Sequence, residues 1–97
     1  MKVYSQNQPQ WEEQESSEVL EALQDNHKLV LHNDDFNTFD FVIDCLIEIC
    51  KHTLEQAEQC TYLIHYKGKC TVKTGQLELI EPMHKKLLSR GLSSEIV

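Results

Sequence analysis

At 97 residues the chain has room for one domain with one modest core, because about 60% of the unfolded surface can be buried at this size. Sixteen Asp and Glu face nine Lys and Arg, for a net charge of -7, which argues against nucleic acid as a partner: phosphate binding needs a clustered basic surface. No apolar stretch approaches the roughly 20 residues that span a bilayer, and the opening MKVYSQNQPQWEEQE has no signal-peptide core, so no membrane contact and a cytoplasmic location are expected.

Residues 1–26 carry many carboxylates and, from Trp11 on, only Val19, Leu20, Ala22 and Leu23 as further apolar side chains. That supply is too thin to offset the entropy of ordering them, so they read as a flexible acidic extension, with a transient helix around 16–24, ahead of a core domain over 27–97. From Lys28 the pattern tightens. Leu29-Val30-Leu31 is a strand signature that stops at the turn-forming Asn33-Asp34-Asp35. Phe39, Val42, Ile43, Leu46, Ile49 and Cys50 then recur at helical spacing, with Asn37 or Thr38 as N-cap and an end near His52.

Thr53-Leu54-Glu55-Gln56 has the spacing of a capping box, and Leu54, Ala57, Cys60, Thr61 and Ile64 continue as a second helix until Gly68. Residues 69–74, KCTVKT, alternate and are rich in β-branched side chains, which suits a half-exposed strand. Leu77, Ile80, Leu87 and Leu88 mark a third helix closed by Gly91; Pro82 either kinks it or is its first residue. The final LSSEIV suits a short edge strand. The expected fold is α+β in β-α-α-β-α-β order: a small antiparallel sheet of two to three strands covered on one face by three helices.

Cys45, Cys50, Cys60 and Cys70 are expected as reduced, mostly core thiols, and neither they nor the five histidines have metal-ligand spacing, so no metal or cofactor is expected. An enzyme is disfavoured as well. Asp34, His65 and Cys60 supply the residue types of a nucleophilic triad, but Cys60 lies five residues before His65 and so roughly 140° around the helix from it.

The informative cluster is LVLHNDDFNT at 29–38. Asn and Asp after a strand serve turns in the ordinary case. Thr61 and His65, however, share a face of the second helix, and where that helix end meets the strand end His65 converges with Asp34. An Asn carbonyl, an Asp carboxylate and a neutral imidazole nitrogen are all acceptors, the complement of an ammonium group, while Phe39, Val42 and Ile64 would line an adjoining apolar pocket. Charge-assisted hydrogen bonds contribute about 1.5–3 kcal/mol each, and a buried Leu or Phe side chain about as much again. Together they approach the roughly 8 kcal/mol of a micromolar complex.

With LIHYKGK at 63–69, LVLHNDDFNTFDFV resembles the ClpS family, adaptors of the bacterial Clp protease that recognise N-degrons; the resemblance runs without a gap from about His27 to Lys69. It implies an adaptor that binds the free α-amino group and bulky apolar side chain of a substrate's N-terminal residue (Phe, Leu, Trp or Tyr) and delivers the substrate to the N-terminal domain of a ClpA- or ClpC-type AAA+ unfoldase. By position, Asn33, Asp34 and His65 match the family's α-amino contacts, and Asp35, Asn37, Phe39, Val42, Thr61 and Ile64 its side-chain pocket. Glu78 matches an acidic residue of the surface that meets the unfoldase, and Phe36, next to the turn, is either a core residue or an exposed contact with the unfoldase. Phe39 and Thr61 stand where the family commonly has Met, and Ser93-Ser94 where it has Pro-Leu near the last strand. The alternative reading is a regulatory module that docks on the unfoldase but no longer reads N-termini.

Overall fold

The computed structural model describes residues 26–97. The acidic extension and its expected helix lie outside them, save that Asn26 already belongs to the first strand. The element order is β1 (Asn26–His32), α1 (Phe39–Cys50), α2 (Leu54–Lys67), β2 (Lys69–Gln76), α3 (Leu77–Ser89) and β3 (Ser93–Ile96). The expected α+β order is thus the observed one, with three strands in the sheet.

β1 is central, with β2 and β3 antiparallel on either side. Its position explains the unbroken apolar run: Leu29, Val30 and Leu31 are all buried. Leu29 and Leu31 point into the helix-covered core, whereas Val30, which lies opposite Thr71 and Glu95, stands outside that cluster on the helix-free face. A bulge interrupts the β1–β2 register between Leu29 and Val30, so Leu29 pairs with Lys73 but Val30 with Thr71.

Thr38 caps α1, its hydroxyl accepting from the Phe41 N–H. α1 stops at Cys50, two residues before His52, because Lys51 turns into the left-handed region at φ 61°. The capping box of α2 is present in both directions, Gln56 N–H to Thr53 Oγ1 and Thr53 N–H to Gln56 Oε1, and Gly68 ends that helix at φ 92°. Leu54 departs from its expected stripe: it is 57% exposed on the first turn of α2.

β2 runs on to Gln76 and passes into α3 without a loop. Leu79 Cδ2 lies 2.9 Å from where a Cβ on Gly75 would stand, so the first turn of the helix folds back over the strand end. α3 therefore starts at Leu77, not at Pro82, and contains the proline five residues in. Ile80 and Leu87, both fully buried, hold the helix against the sheet and α1. Arg90 ties its end to α1 through Glu48 at 2.9 Å. All four cysteines are free; Cys45 and Cys50 are core residues, Cys60 and Cys70 half-buried beside it.

Candidate functional site

The strand-to-helix turn after β1 is built by its own side chains. Asp34 Oδ1 accepts from the backbone N–H groups of Phe36 (2.9 Å) and Asn37 (2.8 Å), and Oδ2 accepts from Asn37 Nδ2 (2.9 Å). Asn37 spends its other amide hydrogen on the Gly91 carbonyl at 3.0 Å, which fastens the turn to the α3–β3 connection. The Asn33 N–H donates to the Gly68 carbonyl at 2.9 Å and so pins the start of the turn to the end of α2. That bond brings Asn33 and Asp34 to the helix turn that carries His65.

The result is a recess of about 310 Å³ lined by Asn33, Asp34, Asp35, Asn37 and His65 with Phe39, Val42, Thr61 and Ile64. These are the nine residues assigned to the α-amino contacts and the side-chain pocket. Val42, Thr61 and Ile64 form a buried interior, while Asn33, Asp35 and His65 are exposed at the rim. Thr61 is 3% exposed, and its hydroxyl donates to the Ala57 carbonyl at 2.7 Å, so the one polar side chain of the interior has its proton satisfied within the helix. The Phe39 ring stands edge-on to the His65 imidazole, centroids 6.1 Å apart, at 42% exposure.

Burial pushes the Asp34 carboxyl up, but the hydrogen bonds from the Asn37 backbone, the Asn37 side chain and the Phe36 backbone outweigh it and hold the group below its ordinary 3.8. Its contribution to the fold is thus fully present above pH 3.8 and is lost as pH falls through the lowered value. A carboxylate offers about four lone-pair sites, and the turn uses three, so one on Oδ2 is left for a ligand. Chemically, the recess is an acceptor-rich rim over an apolar interior, suited to a cation attached to a hydrophobic group.

Phe36 and Glu78 lie outside this lining. Phe36 is 92% exposed beside the turn, and Glu78 is exposed on the first turn of α3. Cys60 is also outside it, facing His52, Gln56 and Val72 on the β2 side, where burial and a hydrogen bond with Cys70 push its thiol up to about 12. A thiol held so firmly protonated is a poor nucleophile. Among the described residues no group of three or more His, Cys, Asp or Glu could hold a metal ion, and no helix is long and apolar enough to cross a membrane.

Sequence reasoning found no partners for three histidines that the fold employs. His32 Nε2 meets Glu95 Oε1 across the sheet, His52 Nε2 bonds the Val72 carbonyl at 2.7 Å, and His84 Nδ1 meets Ser94 Oγ at 2.5 Å. Each bond joins residues at least 10 positions apart, so no local pattern announces it. A further feature was missed: a second, shallower groove on the outer side of Phe39, between α1 and α2.

The family model described as "ATP-dependent Clp protease adaptor protein ClpS" matches residues 22–95, well beyond the stretch His27 to Lys69 that carries the motifs. A Thermosynechococcus vestitus protein named ATP-dependent Clp protease adapter protein ClpS is 38% identical over 81 residues, covering 82% of this chain and 86% of that one. A Nostoc protein of the same name is 35% identical over 79 residues, covering 80% and 81%. In fold the chain is similar to Agrobacterium tumefaciens ClpS2, solved bound to L-phenylalaninamide, with a TM-score of 0.72 and 19% identity over 75% of this chain and 95% of that one. The chain belongs to the ClpS family of adaptors of the ATP-dependent Clp protease.

Proposed function

We propose that this adaptor binds the free α-amino group and bulky apolar side chain of substrate N-terminal residues, Phe, Leu, Trp or Tyr, and delivers the substrates to a ClpA- or ClpC-type AAA+ unfoldase. One observation carries the reading: the acceptors Asn33, Asp34 and His65 stand together at the rim of a recess whose buried walls are Val42, Thr61 and Ile64. The ammonium group takes the remaining Asp34 lone pair together with Asn33 and His65, and the side chain enters between Phe39 and Ile64. Neither part suffices alone, so the site requires both a free N-terminus and a large apolar residue. The phenylalaninamide on the Agrobacterium protein, a free amine next to a benzyl group, has that chemistry.

No reacting group is needed for this role, and the protein acts as a non-catalytic adaptor in the cytoplasm. Phe36 and Glu78, exposed and outside the recess, are the proposed contacts with the N-terminal domain of the unfoldase. Residues 1–26 assist the hand-over.

Fluorescence anisotropy of labelled peptides beginning with Phe, Leu, Trp or Tyr, set against their N-acetylated forms and an Ala-initiated peptide, tests the reading. Micromolar binding confined to free bulky N-termini is the expected result. Equal binding of acetylated peptides would remove the amino-group site and leave a docking module that does not read N-termini.

A further inference from the structure

Of the four thiols, Cys45 and Cys50 are 0% exposed in the core, whereas Cys60 on α2 and Cys70 on β2 are half-buried. The half-buried pair stands on facing elements. Cys70 and Val72 lie two apart on β2 and both pack against the core, so they share the helix-covered face of the sheet. Cys60, with His52 and Gln56, lines a cleft of about 250 Å³ together with Val72. The chain reverses at Gly68 between the two cysteines, and the Cys60 thiol is hydrogen-bonded with that of Cys70.

We propose that Cys60 and Cys70 form a reversible disulfide when the protein meets a hydroperoxide, and that this bond weakens the hold of the recess on its ligand. The disulfide stands on the placement of the thiols alone; its effect on the recess rests on the N-terminal reading above. Cys60, which burial and its neighbour hold protonated, is the resolving thiol, and Cys70 attacks first. The Cys70 thiolate takes the outer oxygen of ROOH: an S–O bond forms, the O–O bond breaks, and the alkoxide leaves as ROH with the proton that Cys70 gave up. The Cys60 sulfur then attacks the sulfenic sulfur. The S–S bond forms, the S–O bond breaks, and hydroxide departs as water with the Cys60 proton. The two electrons lost by the sulfurs reduce the peroxide, and a dithiol reductant returns them.

The bond encloses much of the recess. Between Cys60 and Cys70 lie Thr61 and Ile64 of its buried wall, His65 of its rim, and Gly68, whose carbonyl pins Asn33. An S–S bond of about 2.05 Å is shorter than a hydrogen bond between thiols, so α2 is drawn toward β2. Thr61 follows Cys60 directly and His65 lies little more than a turn further on, so wall and acceptors move off the positions that fit a ligand.

Hydrogen peroxide applied to the full chain, followed by thiol blocking and tryptic digestion of the monomer band from a non-reducing gel, tests the bond. Peptide 52–67, with Cys60, emerges joined to 70–73, with Cys70, and dithiothreitol separates them. Absence of that joined pair, or a disulfide that engages 29–51 and so Cys45 or Cys50, would overturn the proposal. Anisotropy with a Phe-initiated peptide reads the effect: oxidation weakens binding about fivefold, reduction restores it, and Cys70→Ser shows no such drop. Equal affinity of the cross-linked and reduced protein would overturn the control of the recess, as would an equal drop in Cys70→Ser. Failure of the reduced protein to prefer the free peptide over its acetylated form would reject the recess reading, while the joined peptides still decide the disulfide.

Discussion

The half of the domain that carries the recess and the half that follows it are held by different kinds of interaction. From β1 to α2 each reversal of the chain is closed by a side chain: Asp34 in the turn, Thr38 on α1, Thr53 and Gln56 on α2. From β2 to β3 such devices are scarce. α3 begins after Gln76, which gives it no side-chain cap, carries Pro82 in its interior, and is kept in place by Ile80, Leu87 and Leu92 in the core and by the Arg90–Glu48 ion pair. Local bonds fix atoms to a few tenths of an ångström, which a rim of hydrogen-bond acceptors requires. Apolar packing suffices where an element only covers a core.

The largest effect is expected where the turn and the rim share an atom. Asp34→Ala removes the acceptor of three hydrogen bonds and the charge at the recess, so binding of a Phe-initiated peptide should weaken about a hundredfold, while stability falls by about 1 kcal/mol. Asp34→Asn removes the charge while its amide oxygen still serves the backbone of Phe36 and Asn37, at the loss of the Asn37 side-chain bond, whose donor then faces a second amide donor. Parent-like peptide binding by Asp34→Asn would show that the carboxylate does not hold the ammonium. In the other half the sign reverses. The imino nitrogen of Pro82 leaves the Glu78 carbonyl without its helical donor, so Pro82→Ala should raise the free energy of unfolding by about 2 kcal/mol in urea titration.

The same division decided what was legible in the sequence. The stripe from Phe39 to Cys50, the box Thr53–Gln56 and the stop at Gly68 act within a few residues of themselves, and α1 and α2 follow them. Pro82 offered a local signal that packing overrode, because burying Ile80 two residues earlier outweighs one missing hydrogen bond. The bulge at Leu29/Val30 and the bond from Asn37 to Gly91, 54 residues away, had no local trace at all. At the candidate site, the acceptor cluster and the face shared by Thr61 and His65 were readable, since a turn and a helix period place them. The outer groove was passed over because Tyr62, Leu63 and Tyr66 fall off the buried stripe of α2; three apolar side chains on that otherwise polar face were the available signal.

Smaller changes at the two helix starts test whether capping separates the halves. Thr53→Ala removes one side of the capping box and should cost about 1 kcal/mol, as such losses usually do. At α3 the converse substitution should help. Gln76 already has the extended conformation of an N-cap, φ -74° and ψ 157°, yet its side chain makes no cap bond, and its exposure leaves room for change. A serine there has a hydroxyl short enough to accept from the N–H of Glu78 or Leu79, so Gln76→Ser should gain about 0.5 kcal/mol. Urea midpoints read both variants, and peptide affinity serves as the control, since neither residue lines the recess. A gain at Gln76 with unchanged affinity would mean that α3 starts where the packing of Ile80 and Leu87 puts it and lacks only its cap. No gain would mean that the N–H groups of its first turn are already satisfied by water, and that packing alone sets the stability of this half.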